Sequence, residues 1–419
     1  MKTIVTTLAV TTTLAVSALS ALGSTSLSAA ELRVTVWTGN KAQLEMLNSF
    51  GAGFTKIHPD ITVKFETIPA ADYTQKLTFQ MAGGNAPDLA WMMEDAAPAF
   101  ENAGVLMDLA PALNAAKGYD LADFSKAAMG LWAKDGKVYG IPFSTSPFML
   151  MYNKTMFDKA GLEDPGTLAD KGEWTMEKFR QAAKALKDAN GKWGFEFKDG
   201  QGYESRMMHA VMPPIRVYGG NAWQDGQCGF NKPEAVAAMT LLHDMVFKDQ
   251  SIVPPGEQGD FFSGNSAMTI NQISRATNLK DATFEWGVAP LPTGPAGASP
   301  VIGQAGLVVF DNGKQKQLAA EFLAFMTNKE NVATMAQYFP PARQSVLNEA
   351  SFTQSNAIIP PKQMAYVADA VANGRVLPSH EQSPQILAAL APRMDGFWKA
   401  DADVQTSMDA VCTALQPLL

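Results

Sequence analysis

The chain commits itself to a fold class between Leu32 and Phe65. Leu32, Val34 and Val36 alternate with Arg33, Thr35 and Trp37, the two-residue period of a strand with one face turned inward. Leu47, Phe50, Phe54 and Ile57 then recur at helical spacing until His58-Pro59-Asp60 stops the helix. Ile61, Val63 and Phe65 alternate again. Strand, helix and strand in that order form a βαβ unit, which implies a parallel sheet covered by helices and hence an α/β fold. A second helix is expected over 70–81, a Gly- and Pro-bearing loop over 83–87 and a third strand over 88–92. Such sheets carry their ligand loops at the carboxyl ends of the strands. Here those loops begin at 37–40 and 93–95.

The pattern restarts past Pro142. A short strand is expected over 149–152, and Phe179, Ala182, Ala183 and Leu186 mark a helix. Asn231 with Glu234 three residues on reads as a capping box, with Pro233 in the first turn and Val236, Met239, His243 and Val246 as the buried stripe. Further strands are expected over 268–270 and 287–289, before Pro290-Leu291-Pro292 breaks the chain. Residues 292–300 read as an exposed loop, and helices dominate from Gln315 onward.

A chain of 419 residues exceeds what one hydrophobic core organises, so two domains are expected. The first thirty residues read as an export signal: Lys2 is the positive start, 4–22 is apolar and threonine-rich, and Ser28-Ala29-Ala30 offers the small residues of a cleavage site. Cleavage near Ala30 would release a protein into the periplasm. No cysteine stands at the end of that signal to carry a lipid. After it, no apolar stretch approaches the roughly eighteen residues needed to cross a bilayer. The net charge of -8 and the absence of any Lys/Arg run argue against a nucleic-acid partner. Two cysteines, Cys228 and Cys412, either pair or remain as separate buried thiols. Spacing alone leaves both open.

Catalytic patterns are absent. The four histidines, His58, His209, His243 and His380, stand at no metal-ligand spacing, and no HExxH, GxSxG or GxxxxGK[ST] occurs. No metal or other cofactor is expected. A glycan hydrolase would need two carboxylates opposed across one bond, whereas Glu94 and Asp95 are neighbours on a loop. What the loops do carry is a mixture of indoles and amides: Trp37, Trp91, Trp174, Trp223 and Trp286 beside Asn40, Asn85, Asn221, Gln272 and Gln304. Rings stack on the apolar face of a sugar while amides and carboxylates bond its hydroxyls, so this mixture suits a polyol.

Longer motifs carry a family resemblance. Gly136-Lys137-Val138-Tyr139-Gly140-Ile141-Pro142 is followed by Met151-Tyr152-Asn153-Lys154, by Phe157-Asp158-Lys159-Ala160-Gly161-Leu162 and by Glu173-Trp174-Thr175 through Phe179. A second run joins Phe262-Ser263-Gly264-Asn265-Ser266-Ala267-Met268 to Trp286-Gly287-Val288-Ala289-Pro290-Leu291-Pro292. Together with 319–326 and 341–345, this resembles the family 1 extracellular solute-binding proteins, the family of maltose-binding protein and other carbohydrate receptors of ABC importers.

The resemblance implies a two-lobed periplasmic-binding-protein fold of type II, each lobe a sheet flanked by helices, with the solute held between lobes joined by a three-crossing hinge. By analogy the first lobe is 31–142 plus about 290–328 and the second 143–289 plus about 329–419, with crossings near 140–144, 285–292 and 327–332. It also implies a monomer that hands a small-molecule ligand to a membrane permease. The candidate ligand residues are Trp37, Asn40, Lys41, Asp95, Ser144, Ser146, Trp174, Trp223, Asn271, Gln272, Gln304 and Arg343. Asn40, Lys41 and Asp95 match loop positions where sugar-binding members place polar contacts. Ser146 stands for an acidic residue and Ser274 for a stacking tryptophan, which argues against a maltose-like ligand. A cleft-facing Arg343 would favour an anionic sugar derivative such as a phosphate or sulfonate. Glu94 and Asp95 are also compatible with a polyamine.

Overall fold

The computed structural model describes residues 30–197, 203–254, 257, 259–354 and 356–419. The expected export signal lies outside this set except for Ala30, the first residue of strand β1 (Ala30–Val36). Helix α1 (Lys41–Ile57), β2 (Ile61–Thr67), α2 (Tyr73–Ala82) and β3 (Leu89–Met93) follow in the order that the opening alternation requires. β1 pairs in parallel with both β2 and β3. Leu32, Val34 and Val36 are fully buried, as are Leu47 on α1 and Leu77 on α2. Burial of side chains this size stabilises by about 1.5–3 kcal/mol each. That burial fixes which face of the sheet each helix covers.

The feature the alternation did not reveal is β4 (Ile141–Asn153), thirteen residues with every one buried. Only 149–152 reads as strand, because Pro142, Pro147 and three hydroxyl residues interrupt the apolar run. A strand buried on both faces has no polar side to mark its period. Its prolines lack a ladder donor, and Pro142 falls where the pairing is irregular.

The second half of the molecule adds α3 (Met176–Asn190), α4 (Tyr203–Val217), α5 (Pro233–Phe247), β5 (Met268–Gln272), β6 (Trp286–Ala289) and β7 (Val301–Val309). Then come α6 (Lys316–Met326), α7 (Lys329–Met335), α8 (Pro361–Asn373), β8 (Arg375–Val376), α9 (Ser383–Phe397) and α10 (Val404–Leu415). The sheet order is β6-β4-β7-β3-β1-β2, with β5 also on β4 and β8 also on β7. β4 and β7 therefore belong to both lobes. In the near half of β4, residues 141–147 pair antiparallel with β7; in its far half, 148–153 pair with β5 and β6. β7 in turn meets β8 at Val301 and β3 at 305–309.

Two hydrophobic cores result. The first gathers β1, β3, α1, α6 and the distal part of β7; the second gathers Phe148, Leu150 and Tyr152 of β4 with α3, α4, α5, α9 and α10. Met149 and Met151 alternate to the other face, toward α8. Two of the expected crossings move. Residues 286–289 are strand β6 of the second sheet, bonded to 150–153, so the passage back to the first lobe is β7 itself. Residues 327–332 run from the end of α6 into α7 and pack in the first core, with Thr327, Val332 and Met335 buried there.

Asn231 does not cap α5. The cap position is Lys232, and the Asn231 amide donates to Asp409 Oδ1 at 3.0 Å instead. Cys228 and Cys412 form a disulfide that ties the hairpin at Trp223–Gln224 and Gln227–Cys228 to α10. Gln416 reinforces the tie, accepting from Cys228 N at 3.1 Å and donating to Gly226 O at 2.8 Å.

Candidate functional site: the cleft between the lobes

Groups from both cores converge where β3 ends. β1 delivers Trp37, whose ring lies edge-on to Tyr73 at 5.1 Å and to Trp91 at 4.9 Å. Phe143 packs 4.7 Å from Trp91, and Phe339 closes the group at 5.4 Å from Phe143. Tyr73 donates its hydroxyl to Thr35 O at 2.8 Å, and burial pushes its pKa far up, so it stays a neutral donor. Trp37 and Phe339 are the half-buried members of this cluster, and Trp91 and Phe143 are the fully buried backing. A ring exposed on one side and clamped on the other is a rigid stacking platform.

Glu94 is buried just past β3, the strand that supplies Trp91 to this cluster. Its Oε2 accepts the backbone N–H of Gln304 at 3.1 Å. Its Oε1 lies 3.7 Å from Nε2 of His209, which α4 brings from the opposite lobe. The Gln272 amide from β5 sits against Gly303: a Cβ there would meet Nε2 at 2.1 Å and approach Glu94 Oε1 at 3.5 Å. Only glycine lets the two groups close over β7 at that point. Ser146 completes the array, with Oγ 3.3 Å from Ser274 Oγ and accepting Ser274 N–H at 3.2 Å. A carboxylate, a side-chain amide, an imidazole and paired hydroxyls can bind hydroxyl groups with directional hydrogen bonds.

The profile of the bacterial extracellular solute-binding proteins matches residues 50–361, most of the chain. The chain belongs to this family. Among relatives of this solute-binding protein, the maltodextrin-binding protein MdxE of Bacillus subtilis is 28% identical over 298 residues, covering 68% of the chain and 67% of the relative. The sn-glycerol-3-phosphate-binding periplasmic protein UgpB of Salmonella typhimurium is 26% identical over 410 residues, 90% of each. Among solved structures, the cyclic α-maltosyl-1,6-maltose binding protein of Arthrobacter globiformis superposes with a TM-score of 0.81 at 21% identity, over 93% of this chain and 98% of that one.

The structure brings part of the expected ligand set together. Gln272 and the Gln304 backbone N–H meet Glu94 at β7, and Ser146 and Ser144 lie on β4 opposite Gly303 and Ala305, while Trp37 lies in the aromatic cluster with Trp91 and the Gln304 side-chain amide is held by Trp132 and Ala128. Other positions go elsewhere. Asn40 caps α1, its Oδ1 accepting from Gln43 N at 3.1 Å, and Lys41 is 91% exposed beside Glu45. Asp95 is exposed while its neighbour Glu94 turns inward. Trp174 is buried in the second core, and Trp223 stands in the disulfide hairpin 6.3 Å from His380. Asn271 is buried and donates to Thr269 Oγ1 at 3.1 Å.

Arg343 does not face the cleft. Its Nε donates to Thr327 O at 2.8 Å, and its Nη1 donates to Asp120 O at 2.9 Å and Asp123 Oδ2 at 3.1 Å. The guanidinium is sandwiched 4.2 Å from Phe124 and 4.7 Å from Tyr119. It cross-links the first lobe. Glu94 and His209 are absent from the expected ligand set: the expectation fell on the neighbouring Asp95, and His209 carries no motif and meets Glu94 by tertiary placement alone.

Proposed function

We propose that this protein is the periplasmic substrate receptor of an ABC importer, closing two lobes around a sugar, polyol or sugar derivative and presenting the closed form to the membrane permease. The observation that carries the reading is Glu94, a buried carboxylate met by groups from both lobes and standing three residues past Trp91, the indole that backs the Trp37 platform. A carboxylate accepts two polyol hydroxyls where water would otherwise bind, and the ring covers the apolar sugar face. The working receptor is a monomer, freed of its signal near Ala30, and returns its solute chemically unchanged. An anionic solute remains the second arm, supported by the similarity to the glycerol-3-phosphate-binding relative across 90% of the chain.

A thermal-shift panel of maltose, maltotetraose, sn-glycerol 3-phosphate and glycerophosphocholine tests the assignment. A true ligand at a hundred times its dissociation constant adds about 2.7 kcal/mol. Glu94→Gln keeps the shape and removes the charge, and should weaken that ligand about ten- to thirtyfold, the value of one charge-assisted hydrogen bond. No shift with any member of the panel would reject the carbohydrate reading.

A further inference from the structure

The two strands that pass between the lobes share one neighbour. Gly140 immediately precedes β4, and Gly306 lies in β7 where its pairing with β4 shifts between Ala305 and Gly306. The indole of Trp132, only 1% exposed, lies against both. A Cβ on Gly140 would stand 2.5 Å from Trp132 Cε3, and one on Gly306 would stand 2.7 Å from Cη2. No side chain fits at those distances, so the ring rests on bare backbone of both strands. From that seat Trp132 Nε1 donates to Gln304 Oε1 at 3.3 Å. Gln304 Nε2 donates to Ala128 O at 3.1 Å, at the end of the ladder that begins with Glu94.

We propose that Trp132 is a positioning residue for ligand capture, seated on both crossing strands and holding Gln304, and through it the Glu94 carboxylate, in place. This rests on the receptor reading above. The argument is geometric. Gln304 is 3% exposed and belongs to β7, so its side chain is anchored by Trp132 and Ala128 on the first lobe while its backbone N–H is committed to Glu94. Any twist of β4 against β7 shifts the surface beneath the indole. The same twist therefore changes how firmly the cleft carboxylate is held, which makes one side chain common to hinge and site.

Trp132→Phe keeps a ring over the glycines and deletes the N–H. Amide hydrogen exchange, which needs no ligand, should show the Gln304 N–H exchanging about tenfold faster, as expected for loss of one anchoring hydrogen bond, with Leu307 and Val309 protected as before. A double-mutant cycle with Glu94→Gln, using maltotetraose and sn-glycerol 3-phosphate as probes, gives the functional readout. Trp132→Phe should weaken the bound probe about tenfold in the natural background and less than about twofold beside Glu94→Gln. Equal weakening in both backgrounds, or unchanged Gln304 exchange, overturns the proposal. If neither probe binds the unsubstituted protein, the carbohydrate reading is at fault, and Gln304 exchange alone decides this one. Should Trp132→Phe fail to fold, Gln304→Met removes the same acceptor with the indole intact, and must show the same background dependence.

Discussion

Replacing Arg343 with methionine is expected to destabilise the protein by about 3–5 kcal/mol, the range for breaking a buried ion pair from one side, while leaving solute affinity within about twofold. The guanidinium is 2% exposed and serves three acceptors, the carbonyls of Thr327 and Asp120 and the carboxylate of Asp123. Methionine fills similar volume between Tyr119 and Phe124 but leaves those acceptors without their donor. Urea titration measures the loss, and calorimetry on a ligand from the thermal-shift panel measures the affinity. A large affinity loss at unchanged stability would return Arg343 to the cleft.

The same substitution should alter acid stability. Burial would raise the Asp123 pKa, but hydrogen bonds from the Ser345 hydroxyl and amide and from Arg343 outweigh it and hold the carboxyl below its usual range. A carboxylate whose folded pKa is depressed contributes stability above its unfolded value of about 4 and loses it as pH falls through the folded value. Without Arg343 part of that depression goes, and stability should depend less steeply on pH in the range below about 4.

Cys412→Ser should cost about 2–4 kcal/mol, read as a lower urea midpoint that reductant no longer changes. The bond joins residues 184 apart in sequence, so in the unfolded chain it closes a long loop and removes much of its freedom. In the folded state it fixes α10, whose Met408, Val411 and Leu415 belong to the second core, against the hairpin. Exchange protection should fall first along α10. A midpoint equal to that of the unsubstituted protein under oxidising conditions would mean that packing alone holds the C-terminal helix.

The first lobe was legible because its strands obey a two-residue period and its helices a 3.6-residue one: Leu32, Val34 and Val36 are buried as the alternation demands, and Leu47, Phe50 and Phe54 follow on α1. The hinge was harder. β7 was missed because Gly303, Gln304 and Gly306 interrupt its apolar run, and the crossing expected at 327–332 rested on family analogy alone, whereas these residues pack in the first core. In the site, the choice between Glu94 and Asp95 turned on which of two adjacent carboxylates faces inward at a strand end. Asn40 was the right residue type for a sugar contact, yet an Asn just before an apolar helix is also an N-cap. Arg343 has a role written in Thr327, Asp120 and Asp123, residues distant from it along the chain or meaningful only once packed.

One strand lies wholly inside both halves of the molecule. Because β4 supplies its near half to the ladder with β7 and its far half to the ladders with β5 and β6, neither half owns a complete sheet. Melting one lobe pulls a central strand from the other, so the two lobes are expected to be coupled in unfolding, which coincident urea transitions for probes in each lobe would check. A receptor built this way opens its lobes about strands that both cores hold in place, so opening the cleft leaves each core packed.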